Sequence, residues 1–106
     1  MEIRVHAACA RAAALADHAR RRLLYVLRSH QHQVEHVEVR LGDTRSRRGA
    51  QDGYCKVQLR LVHAGVATVV DVAHDIHEAI DRAIDRAGRA VTEHLAQLRG
   101  AQPAAA

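Results

Sequence analysis

Three stretches of the chain alternate residue by residue between apolar and polar side chains, which confines the sheet they form to one dry face and one wet face. In the first, Ile3, Val5 and Ala7 oppose Glu2, Arg4 and His6. In the second, Val37, Val39 and Leu41 oppose His36, Glu38 and Arg40. The third sets Cys55, Val57, Leu59 and Leu61 against Tyr54, Lys56, Gln58 and Arg60. A fourth strand, residues 66–73, is β-branched and more evenly apolar, so its inward face is not marked. The His63-Ala64-Gly65 turn joins strands three and four as an antiparallel hairpin.

Two segments carry the helical period instead. Helix one, about residues 11–30, presents Ala12, Leu15, Ala19, Leu23 and Val26 on one stripe. Helix two, about residues 75–99, presents Ile76, Ala79, Ile80, Ala83, Ile84, Ala87, Val91, Leu95 and Leu98. Asp75 is its N-cap, with Glu78 three residues on. Gly88 in its middle lowers helix stability by about 1 kcal/mol relative to alanine, and Gly100 marks its end.

The order is therefore β-α-β-β-β-α. A right-handed crossover makes strands one and two parallel where they neighbour. With one dry sheet face to cover, both helices belong on it. The expected fold is α+β, a two-layer sandwich with a four-stranded mixed sheet and both helices on one face. A length of 106 residues suits one domain, 1–100, followed by a tail, 101–106, expected to be mobile. Only Tyr25 and Tyr54 are aromatic, so aliphatic residues and 21 alanines must fill the core, which argues against a large ligand pocket lined by rings. No segment has the roughly 18 to 20 consecutive apolar residues of a membrane span, and residues 7–16 are too interrupted, by Arg11, for a signal peptide. Cys9 and Cys55 form no C-x-x-C and read as reduced thiols, in keeping with a cytoplasmic protein.

The formal net charge is +4, from 15 arginines and one lysine against 12 acids. Helix one carries that excess: Arg11, Arg20, Arg21, Arg22 and Arg28 stand against Asp17 alone. Arg21, Arg22, Tyr25 and Arg28 share a helical surface turned from the apolar stripe. Guanidinium groups fork onto phosphates and a phenol stacks on a base, so this surface suits RNA; a solvated face is the competing reading. Arg82, Arg86 and Arg89 form a second stripe on helix two, where Glu78–Arg82 and Asp85–Arg89 are also spaced as ion pairs. Residues 42–53 read as a long irregular loop carrying Arg45, Arg47 and Arg48.

Catalytic chemistry finds no foothold. Ser29 and Ser46 sit in no nucleophile elbow, and residues 42–53 lack the Gly-Lys-Ser/Thr ending of a phosphate-binding loop. His30, His32 and His36 cluster in sequence without a completing cysteine or carboxylate, and His77 and His94 are too far apart to share an ion. The expectation is a non-enzyme with no metal, no cofactor and no small-molecule substrate.

The element order, the length and residues 69–81 resemble the bacterial ribosome hibernation promoting factor and ribosome-associated inhibitor family, also called sigma-factor modulation proteins. Within that stretch Asp75, Ile76, Ala79, Ile80 and Asp81 match the opening of the family's second helix, and His77 stands where the family has tyrosine. The resemblance implies a partner, the small ribosomal subunit, bound through its rRNA near the tRNA and mRNA channel. Translation is then blocked by occlusion in slow-growing or stressed cells. It also implies contacts from Arg22, Arg28, Arg86 and Arg89; Thr92 and Glu93 occupy positions that are often lysines. With the charge pattern, the expected RNA-binding set is Arg21, Arg22, Tyr25, Arg28, Arg82, Arg86 and Arg89. The alternative is a diverged member acting as a protein-interaction module. Long members pair ribosomes through a second domain; here residues 102–106 offer no apolar period, so action on single ribosomes is expected. Strand edges leave self-association of the free protein open.

Overall fold

The computed structural model describes residues 1–101, with side chains to residue 98. The elements are β1 (Glu2–Ala7), α1 (Ala10–Ala13), α2 (Ala16–Val26), β2 (Val34–Arg45), β3 (Gln51–Leu61), β4 (Gly65–Ala73) and α3 (Ile76–Ala101). The sheet order is β1-β2-β3-β4, with β1 parallel to β2 and the other pairs antiparallel. The strands follow the alternation. Ile3 pairs with Val37, Val37 with Leu59, and Leu59 with Ala67, so apolar side chains form rows across one face. Leu23 and Leu27 from the α2 end and Ile80, Ile84 and Val91 from α3 are fully buried with Val37, Val39, Leu41, Val57 and Leu59. Each buried aliphatic side chain of that size contributes about 1.5–3 kcal/mol. Both helices cover this face, and Arg4, Arg40, Lys56 and Arg60 are exposed. The expected α+β sandwich is the observed fold.

The details depart from the expected boundaries in four places. Helix one is two helices, because the chain tightens at Leu15, whose N–H bonds Ala12 at 3.0 Å instead of the residue four back. Ala12 is thereby buried, and Arg11 reaches Asp43 on β2. The second piece stops at Val26, not at residue 30; Leu27 caps it with φ −96° and ψ 4°. Residues 42–53 are no irregular loop. The ladder continues through Gly42–Tyr54, Asp43–Gly53 and Arg45–Gln51, leaving a tight turn that Gly49 closes at φ 79°. Gly53 is required there, since a Cβ would stand 2.5 Å from the Ile76 Cα that begins α3.

The fourth strand does have a marked inner face: Ala67, Val69, Asp71 and Ala73 point in, and Val66, Val70 and Val72 are exposed. Asp75 caps α3 as expected, its Oδ1 accepting the His77 N–H at 3.0 Å. The helix passes Gly100 to reach Ala101, and Leu98, expected on the buried stripe, is exposed. The rest of the expected mobile tail lies outside the described residues.

Candidate nucleic-acid interface

The two long helices meet where Gly88 of α3 faces Val26 of α2. A Cβ on residue 88 would lie well inside the contact distance of Val26 Cγ1, and its absence removes that overlap. Gly88 thus lets the helices approach closely. Beside this contact opens a groove of about 580 Å³, lined by Val26, Arg28, His30, Asp85, Arg89 and Glu93 among others. Arg28 stands at its α2 end, in the turn after the helix. Its guanidinium carbon lies 4.1 Å from the centre of the Tyr25 ring, and its Nη1 donates to the Tyr25 carbonyl at 2.7 Å. Tyr25 is 65% exposed, so the outer ring face remains open for stacking.

The seven expected contact residues divide by their partners. Arg22 is turned toward α3, not outward with Arg21 and Tyr25 as the helical spacing suggested. Its Nη2 donates to Asp85 at 3.0 and 3.2 Å, and its Nε lies 3.4 Å from Asp81. Arg82 and Arg86 converge on Asp71, an inward-facing carboxylate on β4 that is 8% exposed. Arg86 Nη1 lies 3.2 Å from Asp71 Oδ2 and also donates to the Val70 carbonyl at 2.9 Å. The expected Glu78–Arg82 pair is present at 3.5 Å. The Asp85–Arg89 pair is not among those found, because Asp85 is taken by Arg22 across the helix interface. Arg21, Arg28 and Arg89 therefore have no carboxylate partner among the described residues.

Three exposed arginines without carboxylates, beside an open phenol ring, can take phosphate oxygens and stack a base. Arg47 and Arg48 add exposed charge in the turn between β2 and β3. Elsewhere two groups are shifted by what the fold sets beside them. The Arg11 guanidinium holds the Asp43 carboxyl below the usual carboxylate range, aided by Cys9 and Gln51 and opposed by desolvation. Burial, helped by the nearby Asp71 charge, pushes the Cys55 thiol up to about 12.

Sequence reasoning missed one cluster. His18 Nε2 lies 2.8 Å from Asp81 Oδ1, and His77 Nδ1 lies 3.3 Å from Asp81 Oδ2. The two imidazoles stack with centroids 4.2 Å apart. The one sequence signal was the i,i+4 spacing of His77 and Asp81; His18 joins them only through the docking of α2 on α3.

The model of the sigma 54 modulation protein / S30EA ribosomal protein family matches residues 3–99, and the chain belongs to that family. Two solved structures share the fold. A ribosomal subunit interface protein from Coxiella burnetii superposes with a TM-score of 0.74 at 9% identity, covering 91% of this chain and 99% of its own. The N-terminal domain of Protein Y from Thermus thermophilus superposes with a TM-score of 0.60 at 20% identity, covering 87% of this chain and 93% of its own. No curated protein sequence matches. Among the described residues no helix is long and apolar enough to cross a membrane.

Proposed function

We propose that this protein is a cytoplasmic, non-catalytic ribosome-associated factor that binds small-subunit rRNA and inhibits translation by occlusion. The observation that carries it is the pair Arg28 and Arg89, which line the α2–α3 groove without carboxylate partners of their own, with the open Tyr25 ring against Arg28 and the exposed, unpaired Arg21 on the same helix as Tyr25. Family membership and the likeness to a ribosomal subunit interface protein support the same reading. Affinity comes from arginine–phosphate contacts without base-specific readout, and location comes from shape. Arg22, held by Asp81 and Asp85, and Arg82 and Arg86, held by Asp71, contribute indirectly, by fixing α2 and β4 against α3.

Co-sedimentation of the untagged protein with ribosomes through a sucrose cushion tests this. Binding at low salt that falls steeply as salt rises supports it, through release of counterions from the rRNA. Binding to the large subunit alone, or none at low salt, overturns it. A second reading, a protein-interaction module, draws on the exposed Val66, Val70 and Val72 of the edge strand β4. Ribosome binding that is indifferent to salt and lost on Val70→Lys would favour it.

A further inference from the structure

We propose that His18, His77 and Asp81 form a binding site for one borderline transition-metal dication, with zinc as its type, that fastens α2 to α3. Each residue offers one ligand atom, and these atoms all lie within 4.8 Å of one another. Atoms bound tetrahedrally at zinc–nitrogen and zinc–oxygen distances of about 2.0–2.1 Å are themselves about 3.3 Å apart. The His77 contact to Asp81, at 3.3 Å, matches that separation, and the His18 contact, at 2.8 Å, is shorter and would open on binding. His77 and Asp81 are one helical turn apart on α3 and so project from the same face. His18 comes from the first turn of α2 across the interface, so the ligand set exists only when the two helices are docked.

The chemistry of the set is selective. Two imidazoles and a carboxylate suit zinc and its neighbours, whereas magnesium and calcium call for oxygen ligands alone. Three protein ligands leave a fourth position for water, on the side where His77 is half-exposed. The stacked imidazoles lie 25° from parallel, so a shared ion requires the His77 ring to turn. That ring torsion has broad preferences, and its exposure leaves room for the turn.

The surroundings accept a dication. Arg22 lies between Asp81 and Asp85, so two carboxylates face one guanidinium and the local charge is −1 with both imidazoles neutral. Arg22 Nε is buried and without a hydrogen-bond acceptor, and lies 3.4 Å from Asp81 Oδ1. It is placed to hold that carboxylate from outside the ligand set, as outer partners of metal ligands do. Because His18 and Val26 lie on the same helix, fastening His18 to α3 also holds the helix spacing on which the Gly88–Val26 contact and the neighbouring groove depend.

The test uses the untagged full chain, stripped with EDTA and titrated with zinc chloride by calorimetry at neutral pH. Cobalt(II) absorption gives a second readout of coordination. The expected result is one equivalent bound, a rise in Tm with zinc that EDTA reverses, and affinity about ten-fold or more weaker in His18→Gln and in His77→Tyr. His6→Gln, far from the cluster on β1, should bind as the parent does. Should His18→Gln fail to fold, the half-exposed His77→Tyr carries the test alone. No stoichiometric binding, or one-equivalent binding that survives His77→Tyr, overturns the proposal.

Discussion

Gly88 and Val26 face each other across the α2–α3 interface so closely that a Cβ at residue 88 would overlap Val26 Cγ1, and the valine would have to shift. This reverses the usual sign of a glycine in a helix. Alanine there gains about 1 kcal/mol of helix propensity, but overpacking a fitted interface costs about 1–3 kcal/mol. Gly88→Ala is therefore expected to lower Tm, or at best leave it unchanged. Adding Val26→Ala should recover part of the loss, and the coupling between the two, read by thermal unfolding of all four proteins, should be non-zero. A stabilised Gly88→Ala protein would show that the helices do not approach in this way.

Asp71 supplies a second expectation. It is the one buried charged side chain among the described residues, and Arg82 and Arg86 bind it from α3. Asp71→Asn removes the charge that both arginines contact, while the arginines themselves can turn to water. The expected cost is about 1–3 kcal/mol, typical of lost hydrogen bonds to a charged group. Arg86→Gln should cost less, because Arg82 still faces the carboxylate. Urea unfolding of the two variants would check the order.

How much of this was legible in the sequence depends on whether a residue's partner is set by local period or by docking. Rows such as Val5, Val39 and Val57 could be read because alternation fixes a strand's face before any tertiary contact. The extension of β2 and β3 was hidden because Gly42, Asp43, Asp52 and Gly53 look like turn residues. Yet Gly42 is covered by the Tyr54 ring and Gly53 by Ile76, so both glycines serve close packing within a continuing ladder. Asp71 was missed as an inward residue because β4 is apolar on both faces, with nothing local to mark the phase. The free and the engaged arginines could not be told apart either. Arg22 and Arg89 look alike along their helices, and only the helix interface gives Asp85 to the first and leaves the second open.

Cys55 sets a pH expectation. Burial raises its thiol from an ordinary value of 9.0 to about 12 in the folded state, whereas the unfolded chain ionises near the ordinary value. The folded state thus binds the extra proton between those values. The contribution is fully present below pH 9 and is lost as pH rises from about 9 toward about 12. The slope from this one group approaches about 1.4 kcal/mol per pH unit. Alkaline unfolding should begin in that window and move to higher pH in Cys55→Val. At neutral pH a thiol reagent should modify the partly exposed Cys9 first, and Cys55 only as fast as the protein unfolds.

The division among the arginines gives the sharpest test of the proposed interface. Arg22 is engaged by Asp81 and Asp85, so Arg22→Ala should loosen the helix pair. The effect on stability is small, about 1 kcal/mol or less, because the ion pairs are partly solvated. Any loss of ribosome binding it causes should be modest, since it acts through the groove's shape. Arg28→Glu and Arg89→Glu should do the opposite. Neither residue has a carboxylate partner to lose, so Tm should hardly move, while each reversal removes a phosphate contact and lowers the salt slope by about one. With Arg21→Glu added, binding at moderate salt should be lost while the circular dichroism spectrum is retained. If Arg22→Ala instead abolishes binding and the Arg21, Arg28 and Arg89 reversals leave it intact, rRNA does not lie along this groove, and the open sheet face with Val70 becomes the surface to probe.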